Sequence, residues 1–166
     1  MSDGLKKIYI IGEHILRKRV SPVGTVGYNE RMIFEQMFQL MQEHGGLGLA
    51  ANQVGVDKQM CVVSVGERVF KLADPKILRK SGCDIIEEGC LSLPTVGVKV
   101  KRAKIILCQA TDENNKLMKF EAKDLLARVI QHEIDHLYGK MIIDYAPFWQ
   151  RRRLLKEVRE SCNESG

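Results

Sequence analysis

Gln131-His132-Glu133-Ile134-Asp135-His136 is the stretch on which the reading of this chain turns. It has the form H-E-x-x-H. On a helix, His132 and His136 stand at i and i+4, so both imidazoles project from one face. Two imidazoles converging there can hold a divalent metal, with Zn–N bonds of about 2.0–2.1 Å. Glu133 lies about 100° round such a helix from His132. From there it can sit beside the ion without ligating it and take a proton from metal-bound water. The same residues also fit a solvated polar face, and two ligands do not complete a site. A third has to come from elsewhere in the chain.

Working outward, Leu125, Leu126, Val129 and Ile130 give residues 123–138 an apolar side, so this helix is expected to be buried. Gly139 ends it. Residues 141–143 read as a last short strand, and Pro147 opens a terminal helix over about 147–161. Arg151, Arg152, Arg153, Lys156 and Arg159 make that helix basic and amphipathic, which also suits a solvated face.

Upstream, residues 104–110 form an apolar strand, 111–115 a turn, and 117–121 its hairpin partner. Residues 59–65 and 69–72 read as another hairpin. Asp74-Pro75 breaks that run, with 76–78, 83–87 and 96–100 as further short strands. Residues 28–43 form a core-facing helix with Ile33, Met37, Leu40 and Met41 as its stripe and Asn29 as its cap. Residues 6–11 form a short extended start. The expected class is α+β: antiparallel sheets around a metal-binding H-E-x-x-H helix, with an N-terminal helix and a basic C-terminal helix. The 166 residues suffice for one domain, 1–166, and show no repeat or linker.

Composition sets limits. Apolar residues at 45 % and charged residues at 28 % are those of a globular protein. The net charge of +5 permits attraction to a polyanion without demonstrating it. The five cysteines (61, 83, 90, 108 and 162) are odd in number and irregular in spacing, against a disulfide framework and in keeping with a reducing compartment. No apolar run approaches about 18 residues and the N-terminus lacks a signal-peptide core, so a cytoplasmic protein with no membrane span is expected.

Two further stretches carry chemistry. In residues 46–53 (GLGLAANQ), glycines alternate with leucines, marking either a close-packed strand edge or a close backbone approach. The terminal Gly-Lys-Ser/Thr of a phosphate-binding loop is absent. In residues 87–94 (EEGCLSLP), Cys90 follows a glycine in a polar turn. It reads either as a half-buried structural thiol or as a thiolate ligand for zinc or ferrous iron.

Three blocks occur in one order: G-L-G-L-A-A-x-Q (46–53), E-G-C-L-S (88–92) and Q-H-E-x-D-H (131–136). Together they resemble peptide deformylase, which removes the formyl group from the N-terminal methionine of nascent polypeptides. The resemblance implies Cys90, His132 and His136 as metal ligands and Glu133 as proton shuttle. It implies the Gln53 amide and the Leu91 N–H as the oxyanion hole, with metal-bound water or hydroxide as nucleophile. It favours Fe²⁺ as the physiological ion, with Zn²⁺, Ni²⁺ or Co²⁺ as alternatives. N-formylmethionyl nascent peptides would be the substrates, and the basic C-terminal helix would dock on the ribosome near the exit tunnel. Gly46 and Gly48 would let a substrate backbone lie along their strand. Leu47, Leu125, Val129 and the aliphatic part of Arg128 would line the methionine pocket. Asn52 stands where relatives often have proline or threonine, and Gly97 where some have a basic residue. Glu88 and Arg102 would pair across the cysteine turn, an exposed pair contributing about 0–1 kcal/mol. The alternatives are a metallopeptidase acting on internal bonds and a non-catalytic, ribosome-associated metal protein.

Overall fold

The computed structural model describes residues 4–5 and 7–164. Its first long element, α1 (Tyr28–Glu43), buries Phe34, Met37, Leu40 and Met41 at helical spacing. Five antiparallel strands follow it into one sheet: β1 (Gly48–Ala50), β2 (Met60–Val65), β3 (Arg68–Ser81), β6 (Ile105–Thr111) and β7 (Leu117–Lys123), in the order β1-β2-β3-β6-β7. A separate two-stranded sheet pairs β4 (Asp84–Cys90) with β5 (Leu93–Arg102). Two helices complete the chain, α2 (Asp124–Leu137) and α3 (Phe148–Glu164). The architecture is α+β.

The alternation within β2 explains the layering. Successive side chains of a strand point to opposite faces. Met60 and Val62 pack with α1, while Cys61 and Val63 pack in the cluster that contains Ala127, Ile130 and Leu137 of α2. With a helix on each face, both sets are buried, which is why this strand reads as continuously apolar. The β5 strand uses Leu93, Val96, Val98 and Val100 in a third cluster, against Leu154 and Val158 of α3. No helix among the described residues is long and apolar enough to cross a membrane.

The structure corrects several expectations. Asp74-Pro75 does not end a strand: β3 runs through it with a register shift between Ala73 and Lys76. Asp74 takes a φ of 49°, and its carboxylate accepts from the Val23 and Gly24 amides, so the proline sits where no ladder N–H is needed. Residues 141–143 form no strand. Ile142–Tyr145 is a 3₁₀ turn, because the Asp144 carboxylate accepts the Met141 N–H at 2.9 Å and closes the backbone locally. Helix α1 is preceded by Gly27 rather than capped by Asn29, and Glu30 reaches back to the Gly27 amide at 2.8 Å. Of its expected stripe, Ile33 is only half-buried and Phe34 takes the core position. The expected extended start at 6–11 belongs to neither sheet among the described residues. Lys6 lies outside the described residues, while the Tyr9 and Ile11 amides donate to the Gln53 and Ser92 carbonyls.

Candidate metal centre

Helix α2 ends soon after His136, where Gly139 takes a φ of 73°. Its N–H donates to the His136 carbonyl at 2.9 Å, and the Lys140 N–H donates to that of Asp135. The arrest leaves His132 and His136 on one face of the last turns. The third participant, Cys90, closes β4 opposite Leu93 of β5, just after a register shift between Glu88 and Cys90. His136 Nε2 lies 3.3 Å from Cys90 Sγ and 3.2 Å from His132 Nε2. The three ligand atoms all fall within 4.8 Å of one another. Tetrahedral coordination at ordinary zinc bond lengths separates such atoms by about 3.3–3.6 Å. The donor set of one thiolate and two imidazoles therefore fits a single Zn²⁺ or Fe²⁺ ion in both chemistry and spacing.

Glu88 anchors this group from behind. Its Oε2 accepts from His132 Nδ1 at 3.0 Å and from Arg102 Nη2 at 3.0 Å. Its Oε1 accepts from Arg102 Nε and Arg128 Nη1, both at 2.7 Å. Burial pushes the Glu88 carboxyl up, but the hydrogen bonds from His132 and Arg102 outweigh it and hold the carboxyl at about 2. Glu88 and Arg102 are thus a buried pair, not the exposed brace expected from sequence; their side chains are 7 % and 3 % exposed. Arg102 also donates to Asp135 Oδ2 at 2.8 Å, and Tyr145 donates to the same oxygen at 2.7 Å. Burial lowers His132, yet the neighbouring Cys90 thiol and the hydrogen bond to Glu88 raise it to about 10. Burial holds His136 well below the usual histidine range.

Glu133 is buried, and burial pushes its carboxyl up to about 7. Among the described residues its Oε2 has no hydrogen-bond partner. A Cβ on Gly48 would stand 2.8 Å from the Glu133 carboxyl carbon and 2.8 Å from Val129 Cγ1, so only glycine lets β1 approach α2 this closely. A Cβ on Gly46 would stand 2.8 Å from Leu91 Cδ1. Gln53 follows on the 3₁₀ turn Ala51–Val54. Its Oε1 accepts the Ala50 N–H at 2.8 Å and its Nε2 donates to Ser92 Oγ at 3.0 Å, lying 3.7 Å from Cys90 Sγ.

These groups open onto a cleft of about 920 Å³ between β1 and β4, each of which has a free edge on that side among the described residues. Gly46, Leu47, Gly48, Gln53, Cys90, Leu91, Leu125, Arg128, Val129, His132 and Glu133 all line it. His136 does not; it sits behind the others and is 1 % exposed. Leu47 and Leu125 are half-exposed apolar walls. Arg128 differs from expectation in one respect. Its guanidinium is locked by Glu88, by the Val100 carbonyl at 3.0 Å and by Asp84, making it part of the buried ionic group as well as a wall. Ser92, Asp84 and Tyr145 were not picked out from the sequence. Ser92 lies within the E-G-C-L-S run, but nothing local signals that it holds an amide 39 residues away.

A family model described as polypeptide deformylase matches residues 5–152. The chain is 43 % identical over 154 residues to a peptide deformylase of Thermoanaerobacter pseudethanolicus, covering 93 % of this chain and 94 % of that protein. It is 40 % identical over 140 residues to one from Syntrophomonas wolfei, covering 84 % and 92 %. Among solved structures, the crystal structure of a peptide deformylase from Legionella pneumophila superposes with a TM-score of 0.93 at 30 % identity, covering 98 % of both chains. That of an Ehrlichia chaffeensis peptide deformylase in complex with actinonin gives 0.92 at 31 %, covering 95 % of this chain and 98 % of that one.

Proposed function

The chain belongs to the polypeptide deformylase family, whose activity is removal of the N-formyl group, and from that premise we propose that it releases formate from the N-terminal formylmethionine of nascent polypeptides. The observation that carries the reading is the convergence of Cys90, His132 and His136 beside the buried carboxylate of Glu133, whose Oε2 has no hydrogen-bond partner among the described residues. In this reading the whole chain is one catalytic domain, and α2 is the metal-binding helix about which both sheets are packed.

Cys90, His132 and His136 would hold the ion, with Fe²⁺ as the native metal and Zn²⁺, Ni²⁺ or Co²⁺ as substitutes. When bound, the ion supplies Lewis acidity, polarising the formyl oxygen and acidifying the attacking water. Glu133 takes the proton of that water. It then delivers the proton to the methionine nitrogen as the C–N bond breaks, leaving formate and a free amine. Gln53 Nε2 and the Leu91 N–H donate to the formyl oxygen as its charge grows. Ser92 and the Ala50 amide hold the Gln53 carboxamide at both ends, so it is pre-oriented for this task. Leu47, Leu125, Val129 and the stem of Arg128 would flank the methionine side chain. The free edges of β1 and β4, with Gly46 and Gly48 on the first, suit an extended peptide laid between them.

Removing the shuttle tests the assignment. Glu133→Gln should lower turnover of a formyl-Met peptide by about 10²–10⁴-fold, the usual worth of a positioned acid–base group, while the bound metal by elemental analysis stays the same. Turnover close to that of the parent protein would refute the role of Glu133. Chain cleavage in place of formate release would favour a metallopeptidase. We also place the protein in the cytoplasm. There α3 would dock on ribosomal surface through Arg152 and Arg159, since Arg151 is engaged with the Ala146 and Asp144 carbonyls and Arg153 and Lys156 face glutamates one turn on.

A further inference from the structure

Asn52, on the 3₁₀ turn between β1 and β2, is 0 % exposed. Its Nδ2 donates to the His136 backbone carbonyl at 2.6 Å. That bond fixes the orientation of the carboxamide, since only the amide end can donate to a carbonyl. Oδ1 is therefore the end left over, and it is buried with no hydrogen-bond partner among the described residues. The other residue of the same bond carries a matching atom: His136 Nδ1 is also buried and partnerless among them.

The two atoms are complementary. His136 Nε2 faces Cys90 Sγ and His132 Nε2, so in the site as read above it is the lone-pair nitrogen of the ring. The neutral ring then carries its proton on Nδ1 and needs an acceptor. Asn52 Oδ1 is an acceptor in need of a donor. Histidines that ligate metals regularly give their second N–H to a carboxylate, a carbonyl or a water, which fixes tautomer and ring plane. His132 already has this support in Glu88.

We propose that Asn52 is a positioning residue for His136: Oδ1 receives the His136 Nδ1–H through one buried water, while Nδ2 holds the carbonyl of the same residue. The inference rests on the ligand reading of Cys90, His132 and His136. It makes the two histidines unlike, one backed by an anion and the other by a neutral amide. The neutral support leaves the His136 ring a weaker donor and keeps more positive charge on the ion.

Two variants isolate the acceptor. Asn52→Leu and Asn52→Asp both lose the Nδ2 donor, but only the leucine loses the acceptor. Zn²⁺ affinity, measured by chelator competition, should fall 10–100-fold in Asn52→Leu, the usual effect of removing such a support, and stay within a few-fold of the parent in Asn52→Asp. The absorption bands of the Co²⁺-substituted protein should shift in the leucine variant. Equal weakening in both, or an unchanged affinity and spectrum in Asn52→Leu, would overturn the proposal. Should aspartate prevent folding here, nitrogen NMR of the Zn²⁺-loaded parent decides. A protonated, slowly exchanging Nδ1 on His136 supports it, and an unprotonated Nδ1 refutes it. A parent protein that takes up no stoichiometric Zn²⁺ would instead overturn the ligand assignment itself.

Discussion

Gly48 has no titratable or ligating group, yet it decides where Glu133 can stand. Any side chain there would occupy space held by the Glu133 carboxylate and by Val129. Gly48→Ala should therefore displace the carboxylate by a fraction of an ångström to an ångström. Misplacement on that scale costs on the order of 10²-fold in turnover. The expected result is a large fall in kcat with metal content unchanged, read from formate release and elemental analysis of one preparation. Retention of full kcat would mean that the carboxylate moves without consequence. The sequence showed that glycine alternates here. It did not show against what, because the partner lies 85 positions along the chain.

The site is held together by contacts between elements as much as by the residues within them. Glu88 of β4, Arg102 of β5 and Arg128 and His132 of α2 meet in one buried ionic group. Removing one member takes away part of the pairing of a buried charge, and breaking a buried pair outright costs about 3–5 kcal/mol. Arg102→Met should destabilise the fold by that order in urea denaturation, far more than the 0–1 kcal/mol of an exposed pair. It should also weaken metal binding, because Glu88 would be held against His132 by Arg128 alone of the two arginines. A loss below about 1 kcal/mol would show that solvent reaches the pair. The sequence suggested a Glu88–Arg102 pair bracing the cysteine turn; the β4–β5 pairing that brings them together and the bonds from Arg128 and His132 of α2 that enclose Glu88 came from the structure. Similarly, the strand alternation of β5 was legible, whereas the continuity of β3 through Pro75 was not. Asp74 supplies the local compensation with bonds to Val23 and Gly24, some 50 residues away.

Across the whole molecule, α1 is tied to the segment before β2 by the Glu30–Lys58 ion pair. The hydrogen bond from Lys58 lowers the Glu30 carboxyl below its ordinary value, against the opposing effect of burial. A carboxyl lowered in the folded state adds stability above its unfolded pKa, and that contribution disappears as pH falls through the folded value. The parent protein should therefore melt above Glu30→Gln at neutral pH, and the gap should close under acid conditions. A gap independent of pH would mean that the pair is not linked to folding.

The sequence alone supplied the candidates for the chemistry of this protein. H-E-x-x-H at helical spacing, a cysteine beside a glycine, and a glutamine after a glycine-rich run are local patterns. Helix and strand periodicity place such side chains on known faces without reference to the rest of the chain. It also determined the α+β class, because hydrophobic period reports which face of each element is buried. Tertiary structure alone decided which groups share a point in space. Cys90 reaches the histidines only because the β4–β5 hairpin packs against α2, and Asn52 meets His136 across 84 positions. Burial then converted Glu88–Arg102 from a marginal pair into an anchor, since the worth of a charge depends on the solvent it has lost. That loss is a property of packing from all sides, which no local pattern encodes.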